Sequence, residues 1–145
     1  MVMQNGLKHK INAWVKRFDR KHGNDKNNQS GNDNERLEAE YLRLLEAVEK
    51  DKLYTKIDLD RETFAKRMGI SRHTLNKIIS TNTGGLSFPQ WINRIRIGHA
   101  CQILRDEPGK TVAGVAGESG LTPDNLRRLF RQQLGISPSD YRREL

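Results

Sequence analysis

The 145-residue sequence predicts an all-α fold: two helix-turn-helix subdomains joined by a central connector helix, with a short amphipathic N-terminal helix and a flexible linker in front. Three observations lead there. Apolar residues recur at helical spacing along most of the chain. A pair of short helices around a tight Gly-containing turn occurs twice, over about residues 60–80 and again over about 111–134. Between the pairs, residues 88–105 carry two apolar stripes, which is the pattern of a helix sandwiched between two packing partners.

In residues 1–21, Leu7, Ile11, Trp14, Val15 and Phe18 follow helical spacing while Lys8, Lys10, Lys16 and Arg17 occupy other faces, so this segment is a short basic amphipathic helix. Its simplest use is packing on the main domain or self-association; one such helix binds a membrane surface only marginally. Residues 22–36 read as a flexible linker, because HGNDKNNQSGNDN at 22–34 contains no apolar side chain.

The main domain, residues 37–145, opens with Leu37, Tyr41, Leu44, Leu45 and Val48 on one face of a helix of roughly 35–50. Asp60 then caps a helix that turns Phe64, Ala65 and Met68 inward and ends at Gly69. Ser71 caps the next. In GISRHTLNKIIS, residues 69–80, Leu75, Ile78 and Ile79 share the inner face, leaving Arg72, His73, Asn76 and Lys77 outside. The second helix of such a pair projects its outer residues into a DNA major groove. Asn76 can pair with an adenine edge, His73 and Lys77 can donate to guanine, and Arg72 can reach a phosphate.

Ser87-Phe88-Pro89-Gln90 has capping-box spacing and opens the connector, about 27 Å long at 1.5 Å per residue. One stripe holds Phe88, Trp91, Ile92, Ile95 and Ile103; the other holds Ile97, Ala100, Cys101 and Leu104. Thr111 caps a helix with Val112, Val115 and Ala116 inward, closed at Gly120. Thr122-Pro123 starts its partner, since Pro is preorganised for the first helical position. There Leu126, Leu129, Phe130 and Leu134 face in and Asp124, Arg127, Arg128 and Arg131 face out. Gly135 ends this helix, and Ser137-Pro138-Ser139-Asp140 caps a last short one bearing Tyr141.

Charge adds a partner class. Lys and Arg number 26 against 18 Asp and Glu, for a net charge of +8. The excess gathers in residues 60–105, with eight basic and two acidic side chains. That balance favours an anionic partner, nucleic acid or an acidic membrane surface. No apolar run is long enough to span a bilayer, and the lone Cys101 suits a reducing, cytoplasmic setting. Enzyme readings lack an inventory. His9, His22, His73 and His99 fall on different elements without metal-ligand spacing, Cys101 stands at a packing position, and His99 reads as a satisfied core or boundary histidine. No cofactor or metal is expected.

FPQWINRIRIGHACQILR at 88–105, TVAGVAGESGL at 111–121 and LRRLFRQQLGISPSDYR at 126–142 together resemble the DNA-binding domain of the AraC/XylS family of bacterial transcription regulators. The resemblance covers about residues 38–143. It implies that both recognition helices enter successive major grooves on one face of double-stranded DNA, in a nucleoid-associated regulator. His73, Asn76 and Lys77 match the base-facing residues of the first recognition helix; Arg128 matches a frequent Arg of the second, with Asp124 and Arg127 beside it. Ser71, Arg72, Thr122 and Arg131 are then the backbone contacts. Trp91, Ile95, Arg96, Ala100, Phe130, Pro138 and Tyr141 form the structural set, Arg96 corresponding to the family's connector Arg.

The family also implies RNA polymerase as a partner and activation as the usual mode. Two departures stand out. Between Gly120 and Phe130 the chain is one residue shorter than the family spacing, which leaves open whether Pro123, Asp124 or Asn125 approaches the bases. The segment before residue 37 is also too short for the family's sensing domain, so the chain is either a stand-alone regulator or a part separated from its sensory half, with the N-terminal segment as a stalk. A different class of function stays in view: a protein-interaction or non-specific nucleic-acid-binding module that keeps the fold.

Overall fold

The computed structural model describes residues 31–145; the N-terminal helix expected over 1–21 and the start of the linker lie outside them. Seven α-helices and one 3₁₀ turn follow in order among the described residues: α1 Gly31–Lys50, the turn Leu53–Thr55, α2 Arg61–Met68, α3 Arg72–Thr83, α4 Phe88–Asp106, α5 Val112–Glu118, α6 Pro123–Leu134 and α7 Pro138–Arg143. Helix α1 starts inside the stretch assigned to the linker. Its first turns are fully exposed, with Asp33 at the positive end of the helix, so the polar composition that suggested a loop serves a solvated helix start equally well.

The start signals work as their chemistry requires. Asp60 accepts from the Thr63 amide, Ser71 from Thr74, Thr111 from Gly114, Thr122 from Asn125 and Ser137 from Asp140. Ser87 and Gln90 exchange both bonds of a capping box. Each such cap satisfies an amide that has no intrahelical partner. Replacing Thr122 with Ala is expected to lower stability by about 1 kcal/mol, read as a shift of the urea midpoint at unchanged slope.

Two separate apolar cores result. The first joins α1, the 3₁₀ turn, α2 and α3 to the front half of α4, with Leu44, Phe64, Leu75, Ile79, Trp91 and Ile95 essentially inaccessible. The second joins α5, α6 and α7 to the back half of α4 through Ile97, Ala100, Leu104, Val115, Leu126 and Phe130. Ile103 belongs to this second core, not to the stripe of Trp91. The two apolar surfaces of α4 are divided along its length more than around its girth, because each helix pair packs against one end. Trp91 donates its indole N–H to the Tyr41 hydroxyl at 3.1 Å, which satisfies the one polar atom of a fully buried ring. Phe130 meets Tyr141 edge-on at 5.3 Å, and Pro138 is buried at the start of α7.

Candidate nucleic-acid interface

The two helix pairs repeat one design. In each, a left-handed Gly, an apolar residue and a hydroxyl cap lead into a twelve-residue helix: Gly69-Ile70-Ser71 before α3 and Gly120-Leu121-Thr122 before α6. This common register sets Asp124 opposite His73, Arg127 opposite Asn76 and Arg128 opposite Lys77. It also fixes the helix start that the sequence left open. Pro123 is half-buried at the first helical position, whereas Asp124, with a side chain 99% exposed, and Asn125 face outward.

On α3, Ser71, Arg72, His73 and Lys77 are exposed and Asn76 is half-buried, while Leu75, Ile78 and Ile79 are inside. Arg72 pairs with Glu62 at 3.0 Å across the turn, both side chains remaining largely in solvent. On α6, Arg127, Arg128 and Arg131 are exposed. Arg127 reaches Asp124 at 3.3 Å, and Arg128 donates to Asn125 Oδ1 at 3.3 Å. Exposed pairs of this kind contribute at most about 1 kcal/mol, so an anion can displace them cheaply. Asn125, one of the three candidates the sequence left open, lies on the outer face of α6 three residues before Arg128.

Between the modules the 3₁₀ turn acts as a strut that no periodic pattern announces. Arg96, 7% exposed on α4, donates from Nε to the Tyr54 carbonyl at 2.8 Å and from an Nη to the Lys56 carbonyl at 2.6 Å. Burial lowers the pKa of its guanidinium. The Tyr54 ring stacks on His99 with centroids 3.8 Å apart and planes 6° from parallel. From the second module, Gly120 lies against the Tyr54 backbone. His99 therefore sits at the seam of both units, 4% exposed, and burial with the nearby Lys52 charge brings its pKa down to about 4. It is not the satisfied histidine expected from its packing position, since its Nε2 has no hydrogen-bond partner. Replacing Arg96 with Ala strips two carbonyls of their donor and is expected to cost about 2 kcal/mol, measured by denaturant unfolding.

Among the described residues no group of His, Cys, Asp and Glu could hold a metal ion, and no helix is long and apolar enough to cross a membrane. Burial pushes the Cys101 thiol up to about 11, the opposite of an activated nucleophile.

Comparison with known proteins agrees with this architecture. A family model described as a helix-turn-helix domain matches residues 64–144. The uncharacterized HTH-type transcriptional regulator YijO of Escherichia coli strain K12 is 36% identical over 87 residues, covering 59% of this chain; the chain spans 30% of that relative's length. Among solved structures, the DNA-binding domain of AdpA, a global transcriptional factor in complex with a target DNA, is similar at a TM-score of 0.61 and 30% identity, over 72% of this chain and 90% of that one. The C-terminal domain of AraT, a response regulator from Geobacillus stearothermophilus, shares the fold at a TM-score of 0.60 and 23% identity, over 75% of this chain and 84% of that one. With two helix pairs in one register, a connector serving both cores and a family model spanning more than half its length, the chain belongs to the AraC-type family of helix-turn-helix domains.

Proposed function

We propose that the chain is a sequence-specific transcription regulator that binds double-stranded DNA, with α3 and α6 as recognition helices in adjacent major grooves. The observation that carries this reading is the matched pair of outward polar faces, His73, Asn76 and Lys77 on one helix and Asp124, Arg127 and Arg128 on the other, on a fold shared with a DNA-bound relative. Asn76 supplies the bidentate amide that suits adenine, and Arg128 the fork that suits guanine. Ser71, Arg72, Thr122 and Arg131 lie at or beside these faces where phosphates would pass, and helix starts favour anions.

Enrichment of sites from a random duplex pool tests the reading directly. The expected product is a pair of short preferred sequences about one helical turn apart, with the best site bound roughly 10³-fold or more tighter than random duplex. Binding without preference among sequences would assign the basic face to non-specific contact or to a protein partner instead. Asn76→Ala is expected to cost about 1–3 kcal/mol and relax choice at one base position only. Arg131→Ala is expected to weaken all sequences alike and reduce the salt slope of binding by about 1.

A further inference from the structure

The turn of the first module holds an open polar groove between α2 and α3, lined by Glu62, Thr63, Lys66 and Arg72 together with Ala65 and Ile70. Thr63, Lys66 and Arg72 bring a hydroxyl, an ammonium and a guanidinium, all on exposed residues. The fourth polar group is an acid: the Glu62 carboxylate on α2 meets the Arg72 guanidinium on α3 at 3.0 Å. A hydroxyl and two cations beside one anionic group are the donor set that suits a phosphate, and here a side chain of the protein supplies the anion.

The repeat between the modules shows that folding does not require this set. Asp60 and Thr111, Gly69 and Gly120, and Ser71 and Thr122 hold equivalent places as caps and turn glycines. On that register Ala113, Gly114, Gly117 and Pro123 stand where the first module has Glu62, Thr63, Lys66 and Arg72. None of those four carries a polar side chain, yet the second helix pair closes in the same way. The polar groove is therefore an addition to the first module, beside the outward face of α3.

We propose that this groove seats a backbone phosphate of duplex DNA on Thr63, Lys66 and Arg72, and that Glu62 is a built-in competitor for the same place. The inference rests on the reading of duplex DNA as the partner, and not on base choice. In the free chain Glu62 occupies the Arg72 fork, so binding exchanges one anion for another. The displaced carboxylate then stays close to the phosphate and repels it. Glu62 accordingly weakens the sequence-independent part of binding and leaves base preference untouched.

The test is fluorescence anisotropy of the full chain with two duplexes, the best site from the random pool and a scrambled version of it. Glu62→Gln is expected to tighten both by the same factor, about three- to ten-fold. In an Arg72→Ala background the gain is expected to shrink to less than about two-fold, because the competitor then has nothing to occupy. Lys66→Ala is expected to weaken both duplexes and lower the salt slope of binding by about 1. Unchanged or weaker binding by Glu62→Gln, an undiminished gain without Arg72, or a Lys66→Ala slope equal to the parent's would each overturn the proposal. A parent chain that binds neither duplex would overturn the reading of the partner along with it. Equal binding of both duplexes by the parent would remove base recognition alone, since the Glu62 comparison is read on either duplex.

Discussion

Gly120→Ala is expected to destabilise the chain by about 4 kcal/mol, well beyond the usual effect of one methyl group. Two costs combine. The residue has φ +77°, in the left-handed region where an L side chain is strained by roughly 1–2 kcal/mol. A Cβ built there would also fall 2.0 Å from the Tyr54 carbonyl oxygen and 2.9 Å from the Thr55 Cα, both backbone atoms that no rotamer change can move. Gly69 provides the control. It holds the same turn position in the first module at φ +70°, yet nothing lies within 4 Å of its missing Cβ. Gly69→Ala should therefore carry the conformational cost alone, about 1–2 kcal/mol. Parallel urea titrations separate the two terms, and equal midpoints for the two variants would show that the seam does not need the bare backbone of Gly120.

Acid should loosen the same seam. His99 has its pKa lowered from 6.5 to about 4 by burial, with Lys52 adding to the effect. An unfolded chain binds this proton more readily than the folded one, so the neutral ring contributes its full stability above about pH 6.5. That contribution is lost progressively as pH falls toward the folded value. The slope is expected to amount to about 2 kcal/mol between pH 7 and pH 5, rising to about 3 kcal/mol near pH 4. Tyr54, Lys52, Asp106, Glu107 and Glu118 surround the same seam. His99→Phe isolates the imidazole, because a flat ring keeps the contact with Tyr54 and cannot titrate. The variant should lose most of the slope between pH 7 and pH 5, while an unchanged slope would place the acid sensitivity elsewhere.

Helix positions, caps and inner faces were legible in the sequence because each depends on residues within a turn or two of one another. Asp60, Ser71, Ser87, Thr111, Thr122 and Ser137 each announce a helix start through a side chain that reaches three residues ahead. The outer faces of α3 and α6 follow from the same periodicity. What escaped is non-local. The strut at Leu53–Thr55 is three residues long, too short for a periodic pattern, and its importance lies in contacts with Arg96 and His99 some forty residues away. Ile103 fits either stripe of α4 by angle alone, and only the placement of the second helix pair along the axis assigns it to the second core. The start of α1 was masked by composition, since Asn, Asp and Gly describe a loop and a solvated first turn alike.

The shared register of α3 and α6 has an implication for how a target is laid out. One chain carries both modules, and their equivalent positions hold different chemistry: His73, Asn76 and Lys77 in one, Asp124, Arg127 and Arg128 in the other. Such a molecule lacks an internal twofold axis, so under the function proposed above its preferred sequence would not be a palindrome and the two halves could not be exchanged. A chain bound in that way would point in one direction along the duplex, and turning its site end for end would turn the protein with it.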